Sequence, residues 1–528
     1  MQIARSRAVL LLACLAVAAP SCAGGGLPAS PSFPPGAAAP VWEVPATQPP
    51  APISSAEYAQ RRSALAAGIQ DGVFVAFGSV EPELDYLPYA QNASFRYLTG
   101  VTEAGAALVI VKQGETVREE LFVLPRNPAR EIWEGARLGA EGAQRLTGVP
   151  ARTHDRLVPV LDSLLAQHRT LYTLTDAPTA AELGDTRTGE QQILAQLLAR
   201  HPATRIVSID NALRRLRAAK SPAELDLIRR AIYISALAHR EAMRAVGPGM
   251  NEFEIHALVE YMFRRNGAER PAYGSIVGSG PNSTTLHYRD ADRFMQADEV
   301  LLMDVGASYR GYAADVTRTI PVNGTFSAEQ RAVYEIVLAA QKAAEAQARA
   351  GATWQQLNGE ASRVLADGLT RLGLIDSPEA TFRCQAAEGL GDCPQLRLFY
   401  MHGLGHGIGL DVHDPDPSHF GAFQIGSAFT IEPGIYVRAD AFDYLPDTPE
   451  NRAMIERLRP TLERYRNIGV RVEDNYIITP TGLEHVSAGV PREISEIEAL
   501  MREPGMGEDT RLPDVVEWYR ATEPGGAR

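Results

Sequence analysis

Short apolar runs alternate with amphipathic stretches along most of the chain. The runs 73-VFVAFG-78, 106-AALVIV-111 and 121-LFVLP-125 have the length and composition of strands, and 191-QQILAQLLARH-201 repeats its apolar positions at helical spacing. Together they predict an α/β domain of about 150 residues that starts near Tyr58. Ser221-Pro222-Ala223-Glu224 reads as a capping box with proline at the first helical position. A boundary near 212–222 therefore precedes a long helix running through Ala245. Ser327, with Gln330 as the third helical residue, predicts a second start of the same kind.

The second half of the chain repeats itself faintly. Residues 242–267, AMRAVGPGMNEFEIHALVEYMFRRNG, and 346–373, AQARAGATWQQLNGEASRVLADGLTRLG, each read as a helix end, a Gly-containing turn and an amphipathic helix closed by glycine. Strand-like segments follow each: 298-DEVLLMDVGA-307 after the first, 428-AFTIEPGIYV-437 and 469-GVRVEDNYIIT-479 after the second. Two similar α/β halves predict a pseudo-symmetric domain with a site at the seam.

The amino-terminal composition is different. Arg5 and Arg7 precede 8-AVLLLACLAVAA-19, an apolar run too short to span a bilayer, which is the pattern of an export signal. Its end reads two ways. Ser21-Cys22-Ala23 before Gly24 fits a small-residue cleavage site, and Ala19-Pro20-Ser21-Cys22 loosely fits a bacterial lipoprotein box that would lipidate Cys22. A Pro/Ala/Gly-rich tether follows. The expected organisation is a signal at 1–23, a linker at 24–52, domains at 53–215 and 216–490, and a tail at 491–528. No later segment has a spanning length of apolar residues, so a periplasmic chain, or one anchored at Cys22, is expected. Export also favours a disulfide between Cys384 and Cys393 over two free thiols. The net charge of −13, with no basic stripe to offset it, argues against a nucleic-acid partner and leaves small molecules, peptides or proteins.

Acidic residues carry the first chemical signal. In 300-VLLMDVGASYRGYAADVTRTI-320 two β-type runs flank Ser308-Tyr309-Arg310-Gly311, a four-residue turn with glycine last. A turn centred between 309 and 310 sets Asp304 directly opposite Asp315, with Cβ atoms roughly 5 Å apart. Carboxylates so placed repel unless a cation lies between them, and the apolar flank 300-VLLM-303 argues against a solvated hairpin. Glu432 and Glu473 sit in similar runs, and alternation puts Arg471 on the face of Glu473, where it would hold that side chain. Four carboxylates carry −4, which two divalent ions would neutralise. Oxygen-rich ligation with a single imidazole suits Mn²⁺, or Fe²⁺ or Co²⁺, better than a thiolate-type zinc site.

The stretch 401-MHGLGHGIGLDVHD-414 holds His402, His406 and His413. The first two have helical i, i+4 spacing, but Gly403, Gly405, Gly407 and Gly409 are incompatible with a stable helix. In an extended strand His402 and His406 would share a face yet lie about 13 Å apart. At most one of them is expected to bind metal.

Asp304, Asp315, His406, Glu432 and Glu473, in that order and in these motifs, resemble the ligand set of the pita-bread metallopeptidases, nearest to aminopeptidase P. The resemblance runs from about 55 to 490 and includes 276-IVGSGPNSTTLHY-288, 430-TIEPGIYV-437, 471-RVEDN-475, 88-PYAQNASFRYLTGV-101 and 131-EIWEGARLG-139. It implies an α+β pita-bread catalytic domain behind a smaller α/β amino-terminal domain. It also implies two divalent metal ions, manganese foremost, held by those five residues. His287 and His413 match a histidine pair that hydrogen-bonds substrate and the tetrahedral intermediate, and His402 and Arg471 match positions of the active-site network. The implied reaction is attack by a metal-bridging hydroxide on the carbonyl preceding a penultimate proline, with Glu432 moving the proton.

The chain departs from that pattern in places. Glu432 and Glu473 are separated by 41 residues because of the insert 439–467, and the Cys384–Cys393 segment is a further elaboration. The substrate expected is a peptide with proline second. An Xaa-Pro dipeptidase is the alternative, and a creatinase-like hydrolase or a metal-free binding protein stands further off. Self-association is expected from the resemblance, with 131–139 reaching a neighbour's site.

Overall fold

The computed structural model describes residues 49–506 except 83–88, 175–188 and 387–388, together with positions 514, 517, 518 and 521. The expected signal, Cys22, nearly all of the linker and the tail beyond 506 apart from those four positions lie outside the described residues.

The first domain is built on a six-stranded sheet. Its strands are β1 (Gly72–Phe77), β2 (Ala107–Gln113), β3 (Thr116–Val123), β4 (Ala151–Thr153), β5 (Thr170–Thr173) and β6 (Arg205–Ser208), in the order β4-β3-β2-β1-β5-β6. β1, β2 and β3 form an antiparallel meander, while β4, β5 and β6 join by parallel pairing. The unbroken apolar run of β1 has a physical reason, since both sheet faces are covered. Val73 and Val75 pack with Leu157, Leu161, Leu194 and Leu197. Phe74 and Ala76 point the other way, into a core that continues through the second domain.

The second domain carries the expected repeat. Each half opens with a pair of helices: Pro222–Ala245 with Glu252–Arg265, then Ala328–Glu345 with Trp354–Leu372. All four begin at a complete capping box, on Ser221/Glu224, Asn251/Glu254, Ser327/Gln330 and Thr353/Gln356. A three-stranded antiparallel sheet follows each pair. Val300–Asp304 lies between Ile276–Ser279 and Thr317–Pro321 in the first half. Asp474–Thr479 lies between Ala428–Ile431 and Gly482–His485 in the second.

The halves meet along two strands. The Glu473 N–H donates to the Thr317 carbonyl at 3.1 Å, and the Arg471 N–H donates to Thr319 Oγ1 at 3.1 Å. Arg318, fully buried, crosses the seam to Asp474 at 2.7 Å. A cation and an anion so placed must be paired, because either alone would be stranded in the core.

The two elaborations are locked to each other. Thr381–Ala386 and Gly389–Pro394 form a hairpin closed by the Cys384–Cys393 disulfide. The insert folds as the helix Pro449–Tyr465, whose Met454, Leu458 and Leu462 are buried. Buried Asn451 on that helix accepts from the Arg383 N–H at 2.9 Å and donates to the Arg383 carbonyl at 2.8 Å. None of the described helices is long and apolar enough to cross a membrane.

Candidate metal centre and active site

The Asp304 hairpin folds one residue away from the sequence expectation. Its turn residues are Arg310 and Gly311, with φ of 49° and 84°, flanked by the paired Tyr309 and Tyr312. Two positive φ values in a two-residue loop match the right-handed strand twist, which a turn centred one residue earlier would not. Asp304 therefore pairs with Thr317, not with Asp315. Asp315 sits in a break between strands, two residues from Thr317, so the two aspartates are diagonal neighbours on the same face. Gly306 makes room for this break, since a Cβ there would lie 1.9 Å from the Ala314 carbonyl oxygen. The Asp315 backbone is pinned on both sides by Asn475, whose Nδ2 donates to its carbonyl and whose Oδ1 accepts from its N–H.

The Tyr273 hydroxyl contacts Oδ1 of both aspartates, at 2.6 Å from Asp304. A phenol has one proton to give. The two carboxyls therefore compete for it, and burial, then the Asp304 charge, raises the pKa of Asp315. Asp304 behaves in the opposite way. Burial opposes its ionisation, but the Arg471 charge together with hydrogen bonds from Tyr273 and Arg471 holds the pKa down.

Arg471 is aimed differently from the sequence expectation. It donates to Asp304 Oδ2, to the Tyr436 hydroxyl at 2.9 Å and to Thr317 Oγ1 at 3.2 Å, rather than to Glu473. The strand Ile468–Arg471 ends at this residue and the next begins at Asp474, so simple alternation no longer relates positions 471 and 473. Thr317 Oγ1 donates to Glu473 Oε2 at 2.7 Å, while Glu473 Oε1 is buried with no hydrogen-bond partner among the described residues.

The glycine-rich stretch runs beside the Ala428–Ile431 strand as extended backbone. The Thr430 N–H donates to the His406 carbonyl at 2.8 Å, and the Glu432 N–H donates to that of Leu404 at 2.8 Å. Gly405 is required there, because a Cβ would lie 2.3 Å from the Thr430 carbonyl oxygen. His406 and His402 diverge as the glycine argument expects. His406 Nε2 lies 3.4 Å from Glu432 Oε1 and 3.5 Å from Asp315 Oδ2, with Nδ1 on the Gly407 carbonyl at 3.1 Å. His402 places Nδ1 on the Gly403 carbonyl at 2.7 Å and Nε2 on the Tyr436 hydroxyl at 2.8 Å. The Tyr436 hydroxyl accepts a hydrogen bond from Arg471 and donates one to His402, which fixes the neutral tautomer of that ring. Burial and Arg471 lower His402 to about 4.

All nine predicted residues line one cavity of about 260 Å³: Asp304, Asp315, His406, Glu432, Glu473, His287, His402, His413 and Arg471. Ligand atoms of Asp315, His406 and Glu473 lie within 4.8 Å of one another. The electrostatics show a site short of positive charge. Burial raises Glu432 to about 7 and, with Asp315 and Glu432 adding to it, lifts Glu473 well above the carboxylate range. Burial disfavours a charged His406, yet Asp315 and Glu432 prevail and raise it to about 9. An orphaned Glu473 oxygen, crowded carboxyls and an imidazole drawn into protonation fit a divalent cation bound mainly through oxygen.

Residues 226–480 match the family model for metallopeptidase family M24, and 58–172 match that for the aminopeptidase P N-terminal domain. The Xaa-Pro aminopeptidase of Haemophilus influenzae is 36% identical over 85% of this chain and 98% of that protein. The Escherichia coli Xaa-Pro aminopeptidase is 35% identical with the same coverage. A solved structure of aminopeptidase P from E. coli with the inhibitor Pro-Leu superposes with a TM-score of 0.72 at 32% identity, over 85% of this chain and 99% of that one. The chain belongs to the aminopeptidase P type of M24 metallopeptidase. Its two-domain architecture, an aminopeptidase P amino-terminal domain followed by a pita-bread catalytic domain, is that of the type.

Sequence reasoning passed over several groups that shape this M24 site. Tyr273 and Tyr436 lie in segments with no distinguishing spacing. A third device joins the domains. Buried Arg217 donates to Asp414 and, at 2.7 Å, to Asp411, while buried Lys220 reaches Asp414 at 3.1 Å and the Pro415 carbonyl at 2.6 Å. Asp414 follows His413 directly, so this clamp fixes the segment that carries His413 to the domain junction. Tyr273→Phe removes the one hydroxyl shared by Asp304 and Asp315, and metal affinity is expected to fall about 10- to 100-fold. Titration of metal-free protein followed by calorimetry measures this, and an unchanged affinity would remove Tyr273 from the site.

Proposed function

We propose that this chain is an exported Xaa-Pro aminopeptidase that releases the first residue of peptides whose second residue is proline, with two divalent ions, Mn²⁺ foremost. The observation that carries the reading is the gathering of four carboxylates around the His406 imidazole in a single cavity, in a chain matching Xaa-Pro aminopeptidases along 98% of their length. Bound metal would supply Lewis-acid polarisation of the scissile carbonyl and a water of lowered pKa.

The chain's own residues supply the rest. Asp304, Asp315, His406, Glu432 and Glu473 hold the ions, and Arg471 and Tyr273 orient the aspartates. Glu432 carries the proton from the attacking water to the leaving proline nitrogen through its Oε atoms. His287 and His413 face the same cavity and donate to the substrate carbonyl. Neutral His402, held by the Gly403 carbonyl and the Tyr436 hydroxyl, lines the leaving side without adding a charge of its own.

Export rests on the basic and apolar opening of the chain, with the signal either cleaved after Ala23 or replaced by a lipid on Cys22, and the Cys384–Cys393 disulfide suits an oxidising compartment such as the periplasm. Self-association is part of the same reading, because Ile132 and Trp133 on the helix Pro128–Glu134 are 83% and 85% exposed.

The test uses purified protein stripped of metal by a chelator. Cleavage of Xaa-Pro-Xaa peptides is expected to be lost on stripping and restored by Mn²⁺. Hydrolysis of Xaa-Pro dipeptides alone would replace the reading with a dipeptidase. Full activity after complete metal removal would end it.

A further inference from the structure

A second cavity, about 650 Å³, opens beside the catalytic one and shares the wall formed by His402, Gly403 and Gly405. Its far side is the helix Trp354–Leu372, which presents Gln355, Asn358 and Ser362 at spacings of three and four residues, one face of the helix. Its near side is the segment after the disulfide-closed hairpin, with Arg397 and Met401.

Four polar side chains of this groove are uncommitted. Among the described residues, the side chains of Gln355, Asn358, Ser362 and Arg397 have no hydrogen-bond or ionic partner. Arg397 is the arginine that lines the groove. An exposed arginine left free beside a cavity has a carboxylate-binding fork to spare.

A peptide cut near its amino terminus must send the remainder of its chain out of the catalytic cavity. Every residue of that remainder brings a backbone donor and acceptor that need partners. Side-chain amides can both donate and accept, so they suit recognition of backbone without regard to sequence. We propose that this groove holds the part of the substrate beyond the proline, with Gln355, Asn358 and Ser362 meeting its backbone and Arg397 its terminal carboxylate. The inference rests on the aminopeptidase reading and adds a length preference to it. Short free-acid peptides are favoured over their amides.

The experiment compares kcat/KM for Xaa-Pro-(Ala)n free acids and their carboxamides, across increasing n, in wild type, Arg397→Gln and Asn358→Ala. Both substitutions are on exposed side chains outside the catalytic cavity. Wild type is expected to prefer the acid about five-fold at its best length, the size of one exposed ion pair, and Arg397→Gln erases that preference. Asn358→Ala raises KM for the longer peptides and leaves kcat and dipeptide hydrolysis unchanged. An acid-to-amide ratio unmoved by Arg397→Gln overturns the groove while leaving the aminopeptidase reading intact. A wild type that cleaves no Xaa-Pro-Xaa peptide with Mn²⁺ fails on the reading itself and takes the groove with it.

Discussion

Asp315→Ala abolishes Mn²⁺-dependent peptide cleavage, by on the order of 10³-fold or more, in a protein that remains folded. The loss follows from its position. Asp315 lies within reach of His406 and Glu473 and shares Tyr273 with Asp304, so no neighbouring carboxylate can take over its place between them. Folding survives because the deleted carboxyl is one that burial and Asp304 already disfavour in its ionised form, while the anchors from Asn475 are to backbone. Thermal melts separate the two effects. Saturating Mn²⁺ stabilises wild type by about 3 kcal/mol at a hundredfold excess over Kd, and this rise disappears in the variant. A variant that keeps its activity would remove Asp315 from the metal set. The same crowding gives the metal-free wild type an unusual pH dependence. Glu432 has a folded pKa of about 7 against an ordinary 4.5, so the native state binds the extra proton between those values. Stability of the metal-free protein therefore falls as pH rises from about 4.5 to about 7, and bound metal opposes the trend.

Why the sequence reached the site but not its wiring can be seen at two places. The expected turn was one residue early, which shifted the partner of Asp304 by two positions. A shift of two preserves the sheet face, so both aspartates were still assigned to the same side. Nothing in the local pattern marked Arg310 for positive φ, a conformation uncommon outside glycine. The expected Arg471–Glu473 contact failed because alternation was extended across a strand break that hydrophobicity alone does not mark. The glycines were legible for a stronger reason: four of them at alternate positions exclude a helix whatever surrounds them. Capping boxes likewise announce helix starts locally, and two of the four were read directly. Tyr273 and Tyr436 had no such signal. Their roles exist only once the chain brings positions 273, 304 and 315, or 402, 436 and 471, together.

The interdomain clamp is the extreme case, since Arg217 and Asp414 are separated by 197 residues, and it yields the largest expected change in stability. Asp414→Asn leaves Arg217 and Lys220 buried without their shared anion, at a cost of about 3–5 kcal/mol. Exposed Asp411 retains part of Arg217, but among the described residues no other ion pair serves Lys220. The double variant Asp414→Asn/Lys220→Met removes the stranded ammonium, so it is expected to recover part of the loss although it carries one more substitution. Urea unfolding of the three metal-free proteins measures this. A double variant less stable than Asp414→Asn would mean that Lys220 contributes through packing and its bonds to carbonyls rather than through the ion pair. Acid should mimic the single variant. Burial favours a protonated Asp414, but Lys220 and Arg217 hold its pKa below the ordinary 3.8. The unfolded chain therefore takes up the proton first, and the clamp's stability, fully present above about pH 4, is lost as pH falls through the folded pKa. Asp414→Asn has no such carboxyl to protonate, so the clamp's part of the gap between wild type and variant narrows in acid. Because His413 precedes Asp414, loosening the clamp also frees a cavity-lining imidazole from the domain junction. Residual activity per folded molecule should fall in the single variant even where enough protein remains native to assay.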